Sequence, residues 1–493
     1  MSREAVVSAL TAPDLSAVVD LVVWVDDGVA HAANHLGAVR LHADGTHEVL
    51  SGVDPVASED PMAFLPYEVE LATPGPRVST DNAYPYAAQR ILSLFADPDR
   101  SPDLAVVHTP RHWFVDEGGH VGEHGSLDVI QSRAPLVMSG AGVARLGVVD
   151  AHARLVDVAP TLAVLAGVPD DDLLDANGAA LDGAALTAYL EQRPHGQRCR
   201  VVGILWDGAH CGDLLDLAAN GELPAVARLL HRGTALRGGA VAEFPSVTLT
   251  NHTSILTGVG PGRHGVLGNV YYDRAMGEQV VPNNPETWHR SAQWLRPGVR
   301  TVFEMVNDHV PQSSSPRTAS VDEAIDRGAD YGTMALLRMA GGFESATTGM
   351  ADLLPDPATS PFVQQPDHLD DPYFRWCVQV DDMGLQQVLE LWETADDAPT
   401  LTWWANVVTD AGHHAGGPRS EPARDSLRQS DARLVAFLDH LEGLGVMDEV
   451  TFVLTADHGF ESADPGVTGS WKPALDALGI AYRDEGPGFV YLF

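Results

Sequence analysis

The sequence has few cysteines, and they are scattered. Only three of its 493 residues are cysteines, Cys199, Cys211 and Cys377, and their spacing is not that of metal ligands. An odd number of distant cysteines argues against a disulfide framework, so we expect reduced thiols and a cytoplasmic protein. The first twenty residues lack the basic flank of a signal peptide, and no apolar stretch reaches the length of a membrane span. Neither secretion nor membrane insertion is therefore predicted.

Positive charge is also scarce, because Lys472 is the only lysine. The 30 basic and 68 acidic side chains give a formal net charge of -38. Such a field repels polyanions, so a nucleic-acid polymer is not an expected partner. A small anionic substrate requires strong local positive charge, which bound divalent metal would supply. The charge balance therefore favours a small-molecule substrate and leaves the oligomeric state open.

Apolar runs that alternate with amphipathic stretches predict an α/β fold. The run 201–206 is typical of a strand buried on both faces of a parallel sheet, and a helix fits residues 223–232. A leucine-rich helical face before the run 450–455 repeats this order, as do the early runs 104–107 and 136–138. We predict a mostly parallel sheet sandwiched by helices, in one large domain with insertions or in two smaller ones.

The range of about 270–400 differs from the rest of the chain. It is rich in proline, asparagine, aspartate and glycine, and its hydrophobic periodicity is weaker. We predict that it forms a cap or long insertions over the sheet.

Aspartates follow three of the predicted strands. Asp207 follows the run 201–206, Asp410 follows the run 401–409, and the pair Asp457-His458 follows the run 450–456. One aspartate after a strand is usually a helix cap or a turn former. Three of them at the carboxyl edge of a sheet, with His414 four residues after Asp410, form a set of carboxylates and imidazoles of the kind that binds zinc.

A second cluster of polar residues spans residues 244–269, FPSVTLTNHTSILTGVGPGRHGVLGN. Thr248 opens a stretch that can run as a helix through Leu256 before Gly258, so its hydroxyl would lie at the positive end of the helix dipole. Thr248 is therefore either a helix N-cap or a nucleophile.

The segment 244–269 resembles the nucleophile segment of the nucleotide pyrophosphatase/phosphodiesterase branch of the alkaline phosphatase superfamily. The matching residues are Thr248, Asn251, His252, Thr257-Gly258, Pro261, His264-Gly265 and Asn269. The resemblance implies an alkaline-phosphatase-like fold, Thr248 as the nucleophile and Asn269 as the residue that binds the phosphoryl group. We expect Asn251 and His252 to hold the loop by hydrogen bonds and His264 to pack the turn at Gly265.

The resemblance also implies two divalent metal ions, with zinc expected. One would be held by Asp207, Thr248, Asp457 and His458. The other would be held by Asp410, His414 and a distant histidine. His413 stands where the family usually has glycine, but the spacing to Gly417-Pro418 favours His414 as the ligand.

The distant histidine follows the Asp-His pair in the family, but this chain has no histidine after His458. Residues 101–190 resemble the C-terminal third of a superfamily member, which implies His124 as the missing ligand and His120 as a substitute. The implied order is a circular permutation. Residues 1–190 would match the family's C-terminal portion, 191–199 would be a linker, and 200–493 would match the N-terminal portion with its cap.

The expected activity is hydrolysis of a phosphodiester or a nucleotide pyrophosphate-like ester through a phosphothreonine intermediate. A phosphomonoesterase or a phosphonate hydrolase could use the same site, and a catalytically silent, metal-stabilised binding module is the alternative of another class.

Leu249 stands where nucleotide-cleaving members have an aromatic residue. Trp403 and Trp404 are either stacking residues or core, and Arg274 is a candidate to replace the family's substrate-binding lysines.

Overall fold

An eight-stranded sheet forms the centre of the computed structural model, which describes residues 3–64, 69, 81–115, 118–191, 200–342, 355–486 and 488–493. The run predicted to be a buried strand is Arg200–Trp206, and each of its residues is buried. It lies between Leu401–Asn406 and Val450–Thr455 and is parallel to both. The carboxyl ends of these three strands therefore meet at one edge of the sheet.

Strands from other parts of the chain complete this central sheet. Thr318–Val321 and Tyr331–Gly332 extend it in parallel on one side. On the other side Leu136–Gly140 pairs antiparallel and is followed by Gly233–Leu236 and Gly147–Val149. The sheet is thus mostly parallel, as predicted, and strands from before and after residue 200 share it. Two of the strands come from the range of about 270–400 that was predicted to form a cap.

A second, antiparallel sheet of seven strands packs beside the first. Its strands, in spatial order, are Tyr482–Glu485, Phe489–Leu492, Leu104–His108, Val19–Asp26, Val29–Asn34, Gly37–Leu41 and His47–Gly52. The prediction that 104–107 joins the parallel sheet is wrong. The run is a strand, but its partners are antiparallel strands from the two ends of the described chain. An apolar run identifies a buried strand and does not identify its neighbours.

Fourteen α-helices accompany the two sheets in the described ranges. They are Arg3–Leu10, Ala87–Leu94, Val129–Ser132, Val158–Leu165, Cys211–Ala219, Pro224–His231, Thr248–Thr257, Pro261–His264, Val302–His309, Thr333–Met339, Pro372–Leu391, Val408–Gly416, Glu421–Leu444 and Lys472–Asp476. The largest buried cluster joins apolar faces of these helices to the central sheet and contains Trp206, Trp403 and Trp404. Of the helices in the described part of the chain, none is both long and apolar enough to cross a membrane. The predicted linker lies, apart from Glu191, outside the described residues.

The second sheet also packs against the residues that flank the helix Thr248–Thr257. Phe244 and Leu267 share a buried cluster with Val23 and Val107 of that sheet. Because these two residues come shortly before and after the helix, the second sheet forms a wall close to the carboxyl edge of the central sheet.

Candidate active site

The three aspartates predicted from the strand ends meet in the folded chain. Asp207 follows Arg200–Trp206 directly, and its neighbour Gly208 donates its backbone N–H to Asp457 Oδ1 at 2.9 Å. Asp410 lies in the first turn of the helix Val408–Gly416. All three carboxylates are buried.

Three histidines bring imidazole nitrogens to these carboxylates. Nδ1 of His124, His414 and His458 lies 2.9–3.0 Å from the backbone carbonyl of Ser246, Gly122 and Gly459, respectively. Because a carbonyl only accepts, each Nδ1 carries the proton and each Nε2 keeps its lone pair for a metal.

The Nε2 atoms lie close to carboxylate oxygens. His414 Nε2 is 3.4 Å from Asp410 Oδ1, and His458 Nε2 is 3.2 Å from Asp457 Oδ2 and 3.7 Å from Asp207 Oδ1. His124, Asp410 and His414 have ligand atoms within 4.8 Å of one another, and so do Asp207, Asp410 and His458. Histidine 124, from the first part of the chain, thus meets two residues from the last part.

The unpaired atoms of this cluster fit a metal site. Asp207 Oδ1, Asp410 Oδ1, Asp457 Oδ2 and His458 Nε2 are buried and have no hydrogen-bond partner among the described residues. Buried polar atoms are almost always hydrogen-bonded, and buried carboxylates without a cation are costly. Two divalent cations would supply both the missing partners and the missing charge.

The pKa values of four of these side chains also fit a metal site. Burial, together with the charges of Asp457 and Asp410, raises the pKa of Asp207 well above its usual range, and burial raises the pKa of Asp457 to about 6. Burial lowers the pKa of His458 to about 3. It also lowers the pKa of His124 well below 6.5, and the neighbouring imidazoles add to this effect. Both histidines are therefore neutral near pH 7, as metal ligands must be.

Thr248 is the first residue of the helix Thr248–Thr257. His252, one turn later, lies on the same helix face. His252 Nε2 is 3.7 Å from both Asp207 Oδ2 and Asp457 Oδ2, so this face is turned toward the carboxylates. Asn269 Oδ1 accepts the Leu249 N–H at 3.2 Å, which holds Asn269 beside the helix N-terminus and leaves its Nδ2 as a donor.

Asn251 and His264 have the structural roles expected of them. Asn251 Oδ1 accepts the backbone N–H of Glu243 at 2.7 Å, and its Nδ2 donates to the carbonyls of Pro245 and Val247 at 3.1 Å. This side chain thus fixes the loop that leads into Thr248. His264 Nδ1 accepts the Val266 N–H at 3.1 Å across the turn at Gly265, where φ is +85°.

The expectation that His252 holds the loop is wrong. Its Nδ1 is 2.9 Å from Oε2 of the buried Glu323, which also accepts the Trp403 Nε1–H at 3.0 Å. Burial opposes protonation of His252, but the charge of Glu323 and the contact with Asp207 outweigh it and raise its pKa well above 6.5. Glu323 follows the strand Thr318–Val321, so the strand-end pattern could have identified it.

Tyr373 is a second residue that the sequence analysis missed. It begins the long helix Pro372–Leu391, and its hydroxyl donates to Asp410 Oδ2 at 2.8 Å. It lies in the range predicted to be a cap, and no local pattern marks it.

Several other candidates lie away from the cluster. His413 is buried against Phe460 with ring centroids 5.2 Å apart, and it belongs to no ligand group of the described residues. Trp403 and Trp404 are fully buried in the core, so neither is exposed for stacking. Arg274 pairs with Asp103 at 2.7 Å, beside the second sheet.

Sequence comparison links the chain to known hydrolases. The family model for type I phosphodiesterase / nucleotide pyrophosphatase matches residues 201–489, more than half of the chain. Alkaline phosphatase PafA of Elizabethkingia meningoseptica is 35% identical over 86 residues, 17% of this chain and 14% of that protein. An uncharacterized pyrophosphatase/phosphodiesterase of Schizosaccharomyces pombe is 41% identical over 75 residues, 13% of this chain and 16% of its own. The chain thus spans less than a fifth of the length of these relatives.

Comparison with solved structures gives distant matches. Phosphonoacetate hydrolase from Sinorhizobium meliloti 1021, solved with phosphonoformate, has a TM-score of 0.35 and 20% identity over 58% of this chain and 60% of its own. Murine ectonucleotide pyrophosphatase / phosphodiesterase 5, as an inactive variant with AMP, has a TM-score of 0.37 and 16% identity over 53% and 57% of the two chains.

Proposed function

The chain belongs to the type I phosphodiesterase / nucleotide pyrophosphatase family, and from this premise we propose that it hydrolyses small-molecule phosphodiesters at a two-metal site through Thr248. The observation that carries the proposal is the convergence of His124 with Asp410 and His414 beside carboxylate and imidazole atoms that lack partners. One metal would be held by Asp207, Thr248, Asp457 and His458. The other would be held by His124, Asp410 and His414, which we call the His124 group.

The first chemical step uses Thr248. Divalent cations, with zinc as the expected metal, would lower the pKa of the threonine hydroxyl and offset the charge that develops in the transition state. The Thr248 hydroxyl loses its proton to solvent, its oxygen attacks phosphorus, the bond to the leaving oxygen breaks, and a phosphothreonine forms. The departing oxygen takes a proton from solvent. Asn269 Nδ2 donates to a non-bridging oxygen as charge builds there.

The second step releases the phosphothreonine. A water molecule on the side of His124, Asp410 and His414 attacks phosphorus opposite Thr248, and the bond to the threonine oxygen breaks. The products are a phosphomonoester and the free hydroxyl of Thr248. Asp207, Asp457 and Asp410 stay ionised through both steps if metal is bound, because bound metal lowers carboxylate pKa values.

Charge favours a diester over a monoester. A diester brings one negative charge to the phosphorus and a monoester brings nearly two. The chain has one lysine, and Lys472 pairs with Asp484, while Arg274 pairs with Asp103. With neither of these cations available to bind a second phosphate charge, the diester is the better substrate.

A substrate panel with and without a chelator tests the proposal. It contains bis-p-nitrophenyl phosphate, p-nitrophenyl phosphate, a nucleotide p-nitrophenyl ester and phosphonoacetate. We expect chelator-sensitive release of nitrophenol from the diesters. Fastest turnover of the monoester or of phosphonoacetate would favour those activities instead. A protein that binds zinc and turns over none of the four compounds would be the catalytically silent binding module.

We also infer that the chain is circularly permuted relative to its family. His124 and the strand Leu136–Gly140 precede the matched range 201–489, yet they contribute to the same site and sheet. The helix Arg3–Leu10 shares a buried cluster with Trp471 and Val490, so a short linker from the last strand to this helix is sterically reasonable. A reordered chain, with 200–493 first and 1–191 second, should therefore fold and keep its activity. An insoluble or inactive reordered chain would contradict the inference.

A further inference from the structure

A cavity of about 360 Å³ opens beside one end of the metal-ligand cluster. His124, His414 and Asn269 border it at that end. Neither Asp207 nor Asp457 lines it. Pro245 and Val247, which lead into Thr248, line it as well, so the cavity reaches from the loop before Thr248 to His124 and His414.

Ring side chains form much of the cavity wall. His108, His112 and Phe114 pack against one another with centroids 4.6–4.8 Å apart, and Phe244 and Phe489 line the cavity as well. Among the described residues that line it there is no lysine or arginine. Such a wall favours an uncharged, flat substituent, because burying an anion here would cost its solvation without a cationic partner.

The cavity wall also contains a buried polar atom without a partner among the described residues, Nδ1 of His112. His112 is 4% exposed, and its Nδ1 has no hydrogen-bond partner in the described part of the chain. Burial lowers its pKa to about 4, so the ring is neutral near pH 7. A neutral imidazole tolerates an apolar ring beside it and offers no charge to an anionic group.

We propose that this cavity binds an uncharged aromatic leaving group of the phosphodiester. The inference rests on the proposed function. In an in-line displacement the leaving oxygen departs opposite the nucleophile, hence away from Thr248 and toward the His124 group. The leaving group is therefore the substituent that enters a cavity bordered by His124 and His414.

Three diesters that share a methyl group and have leaving groups of similar basicity test the proposal. They are methyl phenyl phosphate, methyl 2-naphthyl phosphate and methyl 3-carboxyphenyl phosphate. For the zinc-loaded protein we expect kcat/KM for the naphthyl ester to be about tenfold above that for the phenyl ester, because the second ring adds buried apolar area. The carboxyphenyl ester should be at least about tenfold below the phenyl ester. Equal values for the three esters would overturn the proposal.

The Phe114→Ala variant tests the wall itself. Phe114 is only partly buried, so its removal should not unfold the chain. We expect the ratio of naphthyl to phenyl kcat/KM to fall several-fold in this variant. Phe493→Ala is the matched control, because Phe493 is 71% exposed and does not line the cavity. An unchanged ratio in Phe114→Ala would overturn the proposal. A wild-type protein that hydrolyses none of the esters would instead contradict the proposed function.

Discussion

The imidazole of His124 stacks on that of His458, with ring centroids 3.7 Å apart and ring planes 12° apart. Burial lowers the pKa of both rings, so two neutral imidazoles lie face to face. The first belongs with Asp410 and His414, and the second belongs with Asp207 and Asp410. The two ligand groups therefore lie directly beside each other. The loop that carries His124, in the first part of the chain, is required to complete the first group.

His124→Ala should remove one of two bound zinc ions. Asp410 and His414 alone are too few ligands to hold a metal tightly. The proposed ligands of the other metal, Asp207, Thr248, Asp457 and His458, are unchanged in this variant. Zinc content after extensive dialysis, measured by atomic emission, should fall from about two to about one per chain. Activity should fall steeply, mainly in hydrolysis of the phosphothreonine.

His120→Ala is the matched control for this variant. The His120 side chain is 46% exposed, and its ring lies 4.4 Å from that of His414. We expect this variant to keep two zinc ions. If His124→Ala kept two zinc ions and normal turnover while His120→Ala lost one, His120 would be the ligand.

Thr248→Ala should abolish turnover and leave the fold intact. Removal of a covalent nucleophile is expected to cost at least ~10³-fold in kcat. The residue is at the start of a helix whose loop is fixed by Asn251, so the backbone should not move. Rapid-quench detection of phosphothreonine in the wild type, and its absence in the variant, is the measurement. Retention of more than a tenth of the wild-type rate would contradict the assignment.

The strand-end rule predicted the carboxylates of the site. Asp207, Asp410 and Asp457 each follow an apolar run, and parallel strands with a common carboxyl edge bring such residues together. His124 could be proposed only from the resemblance of residues 101–190 to a family segment. Nothing local distinguishes it from any other histidine in a glycine-rich loop.

What the sequence did not predict depends on tertiary packing. The strand Leu104–His108 pairs with Val19–Asp26 and Phe489–Leu492, and its apolar pattern would suit either sheet. Glu323 contacts His252, and Tyr373 contacts Asp410, so the place of each in the site is set by a residue far away in sequence. Such partners follow from the folded arrangement and not from periodicity.

Phosphodiesters should be hydrolysed faster than matched monoesters. The comparison is methyl p-nitrophenyl phosphate against p-nitrophenyl phosphate, each at saturating zinc and pH 8. Neither Lys472 nor Arg274 is available to neutralise the extra charge of the monoester, since each is paired with an aspartate. We expect kcat/KM, normalised to the uncatalysed rate, to favour the diester by at least ~10-fold. A higher normalised value for the monoester would contradict the charge argument.

Asp207→Asn should stabilise the protein when metal is removed and fail to gain stability when zinc is added. In chelator, the Asp207 carboxylate is buried away from water and is repelled by those of Asp457 and Asp410, and asparagine keeps the shape without the charge. The melting temperature in EDTA at pH 8 should therefore be higher for the variant, by on the order of 1 °C or more. In excess zinc the order should reverse, because the wild type is stabilised by binding and the variant has lost a ligand.

The sign of the pH dependence follows from the raised pKa of Asp207. A carboxyl group whose pKa is higher in the folded than in the unfolded state binds its proton more tightly when folded, so its stability contribution is lost as pH rises through the folded pKa. The wild type in EDTA should lose this contribution toward pH 8, and the asparagine variant should not. The two melting temperatures should converge below about pH 4, where Asp207 is protonated in both the folded and the unfolded chain. Asp171→Asn, at an exposed position, controls for the change in net charge. A variant that melts below the wild type in EDTA at pH 8 would contradict this prediction, and the charge argument for metal at this site would fail.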